Sequence, residues 1–278
     1  MFDNSKFDVH QVDNYRFLKV PASKDTGSKS LVCLHGMFGG LSNFDYLIEQ
    51  MDEYSVFVPD IPLYSLPKTK LSISGLTEWL RGFMTEAGIH KPVILGNSMG
   101  GHIALEYALQ YPTDVRALIL TGSSGLLENG FGSTFPRRND PEYIRQQASL
   151  TFYEDLVDDT MLEEILDVVQ SPSKLTRLLW IARSTQKHNM EEVLPDIAHP
   201  TLLIWGKNDV ITPPGVAETF CRKMPGALLK WIDKCGHAPM MERPEQFTYF
   251  LKEFLDGLGI LEKKNKNHSA YEKKYSHL

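Results

Sequence analysis

The stretch 93-VILGNSMGGHIALEYAL-109 decides the fold, because in it a run of apolar residues passes through a single serine into an apolar pattern with helical spacing. Such a sequence predicts a buried strand that turns directly into a helix. The corner residue, Ser98, would adopt a strained backbone, and side chains two positions to either side of it would collide. Gly96 and Gly100 occupy those two positions and remove the collisions.

This corner makes Ser98 a candidate nucleophile. Its hydroxyl would project above the end of the sheet, beside a helix N-terminus whose free N–H groups favour negative charge. A strand-helix loop whose glycines serve packing alone explains the same five residues equally well. The partners of Ser98 elsewhere in the chain must therefore decide between the two interpretations.

The flanking sequence alternates short apolar runs with helical patterns. These runs are LVCLHG, VFVPDIP, VILGNS and ALILTGS, followed after Pro200 by TLLIWG and ALLKWID. Alternation of this kind predicts an α/β fold, with a mostly parallel central sheet flanked by helices. FDVHQVD and YRFLKV, within the first 30 residues, are expected to form an antiparallel pair at one edge. We assign residues 1–124 and 199–260 to this core.

Residues 125–198 show helical patterns only. Asp140-Pro141 and Ser171-Pro172 each place a capping side chain before a proline suited to the first helical position. The segment is inserted between two strands of the sheet, so we expect a helical cap, although it could merely thicken the core. The lysine-rich segment 261–278 has little apolar periodicity and predicts a flexible, solvated tail.

Composition narrows the classes of function. The chain has 278 residues, 42% of them hydrophobic, with a net charge of -6 and a pI near 5.9. No basic stripe interleaved with aromatic residues is present, so nucleic acid is not an expected partner. We expect a neutral or weakly charged small-molecule substrate, and a monomer or homodimer.

Cofactors, metals and membranes are not expected either. The nine histidines lack H-E-x-x-H or other paired ligand spacing, and no nucleotide-binding glycine pattern follows a strand. Cys33, Cys221 and Cys235 lie far apart without C-x-x-C spacing, as in reduced cytosolic proteins. No leader pattern opens the chain, and no stretch approaches about 18 consecutive apolar residues. We therefore expect a cytoplasmic protein without membrane association.

A serine nucleophile needs a base, and the base needs an orienting carboxylate. His237 in 233-DKCGHAPMMERPEQF-247 and Asp209 in 202-LLIWGKNDVITPP-214 both follow predicted strands. Each alone could be an ordinary loop residue, but the order Ser98, Asp209, His237 is that of a nucleophile elbow on a parallel sheet. Glu128 is the nearest carboxylate after the strand ALILTGS and is the weaker alternative.

The reaction also needs two donors for the oxyanion of its tetrahedral intermediate. We expect the amide of Met99, which follows the nucleophile, to be one of them. The other should come from 35-HGMFGG-40, where we choose Met37 or Phe38, with Phe38 preferred. His35 precedes the turn and is expected to brace the loop rather than to act as a base.

Together, LVCLHGMFGG, GNSMGG, WGKNDVITPP and CGHAPMMERPEQF resemble the α/β-hydrolase superfamily over about residues 30 to 257. The resemblance implies the α/β-hydrolase fold with Ser98, Asp209 and His237 as a catalytic triad under a helical cap. GNSMGG and CGH look like the branch that hydrolyses carbon-carbon bonds in meta-cleavage products. That branch generally carries a large aromatic residue where this chain has Ala238, and a cap arginine where segment 160–169 is acidic.

We therefore rank hydrolysis of a small-molecule carboxylic ester first and carbon-carbon cleavage second. A non-catalytic ligand sensor on the same fold and acyl transfer to another acceptor remain open alternatives. Tyr64, in 60-DIPLYSLPK-68, is expected near the site. Trp180 and Arg183, in 177-RLLWIAR-183, are expected to offer an aromatic wall and a carboxylate clamp.

Overall fold

The computed structural model describes residues 6–24, 29–129 and 137–275, with side chains described through Ile260. Eight strands form one sheet. They are β1 (Val9–Val12), β2 (Tyr15–Val20), β3 (Ser30–Leu34), β4 (Ser55–Pro59), β5 (Val93–Asn97), β6 (Ala117–Thr121), β7 (Thr201–Gly206) and β8 (Ala227–Ile232).

Helices connect the strands from β3 onwards, and two further helices follow β8. They are α1 (Asp45–Glu49), α2 (Ile73–Glu86), α3 (Met99–Gln110), α4 (Pro141–Ser149), α5 (Asp159–Gln170), α6 (Pro172–Lys187), α7 (Pro214–Lys223), α8 (Pro239–Glu242) and α9 (Pro244–Tyr275). No helix among the described residues is both long enough and apolar enough to cross a membrane.

The strand order is β1-β2-β4-β3-β5-β6-β7-β8. The two pairings that involve β2 are antiparallel, and the others are parallel. This confirms the predicted mostly parallel sheet with an antiparallel pair at one edge. The carboxyl ends of the parallel strands therefore meet at one edge, where the loops that carry the candidate residues emerge.

The central strands are buried on both faces. In β3, Leu31 and Cys33 point into one apolar cluster, whereas Val32 and Leu34 point into the other. Since helices cover both faces, every position of such a strand must be apolar, which is why it reads as a continuous apolar run rather than an alternating one.

Helices α4 to α6 lie between β6 and β7 in the chain, within the segment for which the sequence predicts a helical cap. The Asp140 carboxylate caps α4 by accepting a hydrogen bond from the Tyr143 amide, whereas Ser171 makes no such bond at α6. Helices α4 and α5 share a small apolar cluster that includes Ile144 and Ile165. Residues 130–136 of the predicted cap lie outside the described residues.

Helix α9 continues through Tyr275. Its backbone therefore stays helical over most of the segment for which the sequence predicts a flexible tail. Apolar side chains of its first part, including Phe247, Leu251 and Leu255, pack into the core. That packing accounts for the first part of α9, and the helical backbone then continues to Tyr275.

The turn from β5 into α3 is as tight as the sequence predicts. Ser98 has φ 55° and ψ -121°, in the left-handed half of conformational space that costs a side-chain-bearing residue energy. A Cβ atom at Gly96 would lie 2.5 Å from the carbonyl oxygen of Gly100, and one at Gly100 would lie 2.2 Å from that of Leu34. Glycine is required at both positions because the opposing atoms are backbone atoms.

We predict that Gly100→Ala destabilises the protein by roughly 3 kcal/mol or more, because the backbone of β3 must move to admit the methyl group. Gly215→Ala is the matched control, since nothing lies within 4 Å of a Cβ there. In a helix that change should stabilise by up to about 1 kcal/mol. Urea unfolding of both variants measures the difference. Equal stability of Gly100→Ala and the natural protein would contradict the close approach.

Candidate active site

Ser98 lies at the corner between β5 and α3 and is 7% exposed. Its amide donates to the carbonyl oxygen of Thr121 at 3.1 Å, and its carbonyl oxygen accepts from the amides of Gly101 and Ser124 at 3.0 and 3.1 Å. These backbone bonds hold the strained corner in place. The residue lines a cavity at the carboxyl edge of the sheet.

His237 and Asp209 form a buried pair beside this cavity. Nδ1 of His237 lies 2.9 Å from Oδ2 of Asp209, and the two residues are 6% and 2% exposed. His237 lines the same cavity as Ser98. The three residues chosen from the sequence are therefore brought to one place by the ends of three different strands.

The charge of His237 is set by two opposing effects. Burial alone would lower the pKa of the imidazole, since it penalises the charged form. The adjacent Asp209 carboxylate, with smaller contributions from Glu128 and Glu242, favours the charged form and raises the pKa above its ordinary value. An imidazole in this setting accepts a proton readily.

Asp209 is itself held by three donors. Its Oδ1 accepts from the amides of Ile211 and Thr212 at 2.8 and 2.9 Å, and its Oδ2 accepts from the Thr212 hydroxyl at 2.8 Å. Glu128 instead accepts a hydrogen bond from the hydroxyl of Thr185. The contacts thus favour Asp209 over Glu128 as the partner of His237.

Sequence reasoning missed three residues that surround this pair. Thr212 Oγ1 lies 3.3 Å from His237 Nδ1, and the Asn97 side-chain amide donates to the carbonyl oxygen of His237 at 3.0 Å. Gly122 has φ +53°, and a Cβ there would lie 2.8 Å from His237 Nδ1. Only Gly122 had a recognisable signal, as a glycine directly after a predicted strand.

The loop after β3 borders Ser98 directly. A Cβ at Gly36 would lie 3.2 Å from Cβ of Ser98, and Met37 and Phe38 both line the cavity. Met99 is the first residue of α3, where an amide has no partner within the helix. Met37 and Phe38 therefore border the cavity that Ser98 lines, and Met99 follows Ser98 directly in the chain.

His35 braces this loop, in agreement with the role expected for it. Its Nε2 accepts from the Ile61 amide at 3.2 Å, so its Nδ1 carries the hydrogen donated to the carbonyl oxygen of Gly36 at 2.8 Å. Burial lowers the pKa of this imidazole. A neutral ring with both nitrogens occupied serves as a structural link between two loops.

The cavity has a volume of about 110 Å³ and is mostly apolar. One wall comes from the helical insertion, through Ile144 and Ala148 of α4 and Met161, Ile165 and Val169 of α5. Among the described residues that line it, none is Lys or Arg. The cavity suits an apolar group more than an anion.

Trp180, Arg183 and Tyr64 are not among the residues that line this cavity, so their contact with substrate stays a prediction. Helix α6 turns its apolar side, including Ile181, into the main core, so that Trp180 remains 53% exposed and borders a separate surface cleft with Arg183. Tyr64 lines another cavity, beside acidic residues of α5. Helices α4 and α5 form the wall instead.

Among the described residues, no three His, Cys, Asp or Glu side chains are grouped so that they could hold a metal ion.

Comparison with known proteins places this geometry in a family. The chain matches the Alpha/beta hydrolase family over residues 31–248. It is 26% identical to monoacylglycerol lipase abhd6-A of Xenopus laevis, covering 92% of this chain and 83% of that protein. It is 27% identical to a 2-hydroxy-6-oxononadienedioate/2-hydroxy-6-oxononatrienedioate hydrolase of Pseudomonas sp, covering 82% and 88%.

Among solved structures, MGS-MChE2, an alpha/beta hydrolase enzyme from the metagenome of lagoon sediments at Mar Chica, Morocco, is 38% identical. The match has a TM-score of 0.73 and covers 90% of this chain and 98% of that one. The family match spans most of the chain, and the fold agrees with it. The chain therefore belongs to the alpha/beta hydrolase family and is a hydrolase.

Proposed function

We propose that the protein hydrolyses apolar small-molecule carboxylic esters through an acyl-enzyme on Ser98. The observation that carries the proposal is the buried His237–Asp209 pair, with Nδ1 and Oδ2 2.9 Å apart, beside a cavity that Ser98 also lines. A serine, an imidazole and an orienting carboxylate in this arrangement are what activation of a hydroxyl nucleophile requires.

In the proposed reaction, Ser98 Oγ bonds to the ester carbonyl carbon while its proton passes to Nε2 of His237. The carbonyl oxygen becomes an oxyanion near the amides of Met99 and of Met37 or Phe38, each donor being worth about 2.7 to 4 kcal/mol. The bond to the alcohol oxygen then breaks, and this oxygen takes the proton from His237. Water then bonds to the acyl carbon while the same imidazole takes its proton. The bond from that carbon to Ser98 Oγ breaks, Oγ takes the proton back from His237, and the carboxylic acid leaves.

The lining of the cavity favours esters over the carbon-carbon alternative. The substrate named for the Pseudomonas relative is a dioate, and hence a dicarboxylate. The described residues around this cavity include no Lys or Arg to pair with a carboxylate. The apolar wall of α4 and α5 instead suits an acyl chain, and the lipase among the relatives supports this assignment.

We predict that a fluorophosphonate probe labels Ser98 and abolishes ester hydrolysis, because the probe forms the same bond to Oγ that the acyl group would form. Peptide mass spectrometry of the labelled protein locates the adduct. Ser98→Ala should lose labelling and turnover, whereas Ser65→Ala, at an exposed serine, should keep both. Labelling of a different residue, or turnover by Ser98→Ala, would refute the proposal and leave room for a non-catalytic or a different role.

We predict that Asp209→Asn lowers kcat by about 10⁴ without unfolding the protein, because the His237 tautomer is no longer held. The carboxylate raises the pKa of His237, so its removal lowers that pKa and moves the acid limb of kcat/KM to lower pH. Stopped or continuous assays across pH measure both effects. Glu128→Gln and Asp233→Asn are controls that should retain most of the activity.

Unchanged kinetics in Asp209→Asn would show that another carboxylate orients His237. A large loss of kcat in Glu128→Gln would identify that carboxylate as Glu128.

We predict that Ala148→Phe shifts substrate preference towards shorter acyl chains, because the new ring occupies the apolar cavity at the wall formed by α4. The ratio of kcat/KM for an octanoate ester to that for an acetate ester should fall roughly tenfold, in line with pocket discrimination of a few methylenes. Trp180→Ala, at an exposed position outside this cavity, should leave the ratio unchanged. The opposite pattern would locate acyl specificity at α6.

A further inference from the structure

Glu242, the last residue of α8, is only 6% exposed although it carries a carboxyl group. A buried carboxylate is costly unless its oxygens are hydrogen-bonded. It does not line the cavity that holds Ser98 and His237. Hydrogen bonds to parts of the protein outside that cavity must therefore offset its burial.

One oxygen of Glu242 holds the loop that carries His237. Its Oε1 accepts from the Gly236 amide at 2.8 Å and from the Ala238 amide at 3.4 Å. These are the amides on either side of His237. A single carboxylate oxygen thus anchors the backbone on both sides of the imidazole.

The other oxygen reaches the helical insertion. Glu242 Oε2 accepts from the Tyr153 amide at 2.7 Å, in the turn that follows α4. In the same turn, the carbonyl oxygen of Thr151 accepts from the amide of His237 at 2.7 Å. A Cβ at Gly236 would lie 2.6 Å from that Thr151 oxygen, so the two segments are in close backbone contact.

We propose that Glu242 is a positioning residue that fixes the orientation of His237 by tying its loop to the turn at residues 151–153 of the helical insertion. The proposal rests on the proposed function of Ser98 and His237. It makes the insertion part of the support of the base as well as a wall of the substrate cavity.

Glu242 also contributes to the charge around the imidazole. The carboxylates that act on His237 come from Asp209 in the loop after β7, Glu128 in the segment after β6, and Glu242 in α8, and all three favour its charged form. Loss of the Glu242 charge should therefore lower the pKa of His237, in addition to any effect on its orientation.

The test compares Glu242→Gln with Glu245→Gln, which removes the same charge at an exposed position three residues away. A carboxamide has one acceptor oxygen, so an N–H group of either Gly236 or Tyr153 would face the new NH₂ group. We expect fluorophosphonate labelling of Ser98 and kcat to fall roughly ten- to a hundredfold, as a small misplacement of a catalytic group does. KM should stay within about twofold, and the acid limb should move to lower pH.

A second variant separates charge from geometry. Glu242→Asp keeps the charge but withdraws the carboxylate by one methylene, so it should slow labelling while leaving the acid limb in place. Far-UV circular dichroism and thermal unfolding establish that each variant is folded. If Glu242→Gln does not fold, the labelling rate of Glu242→Asp decides the question.

The proposal is overturned if the folded Glu242 variants label Ser98 at the natural rate, or if Glu245→Gln reproduces the loss. Those outcomes leave the proposed function intact, provided that Ser98→Ala is inactive. A natural protein whose Ser98 does not react, or an active Ser98→Ala, would instead remove the proposed function and this inference together.

Discussion

The structure depends on the close backbone approach at the β5–α3 corner. A Cβ at Gly100 would lie 2.2 Å from the Leu34 carbonyl oxygen. Because glycine has no Cβ, α3 can start directly against β3. The same packing places Ser98 at φ 55° and brings Gly36, in the loop after β3, against it. One steric constraint thus sets the positions of the nucleophile and of the loop expected to bind the oxyanion.

A second constraint is electrostatic. His237 is buried beside a carboxylate that accepts three further hydrogen bonds, two from amides and one from the Thr212 hydroxyl. Those donors hold the carboxylate in place, and Asp209 together with Glu128 and Glu242 outweighs the effect of burial on the pKa of His237. The low polarity of the surroundings strengthens this interaction because little water screens it. The free-energy cost of burying a charge on His237 is thereby offset by its interaction with Asp209, at the group that must accept the proton.

Local patterns predicted the sheet and the three candidate catalytic residues. The glycines around Ser98 and the strand ends before Asp209 and His237 are short-range signals. The order of these three residues along the chain is the one expected of a nucleophile elbow on a parallel sheet. Which face of α6 meets the core is decided by packing against distant residues, so the sequence alone could not show that Trp180 borders a cleft separate from the cavity. The contacts of Glu242 join segments 89 residues apart, which no periodicity reveals.

Acyl-enzyme formation is tested most directly by measuring how the acyl group partitions between methanol and water. Esters that share an acyl group but differ in leaving alcohol are hydrolysed in the presence of methanol, and the ratio of methyl ester to free acid is measured for each. A common acyl group on Ser98 predicts the same ratio for every leaving alcohol, because the alcohol has departed before methanol and water compete. A ratio that changes with the leaving alcohol would contradict the acyl-enzyme.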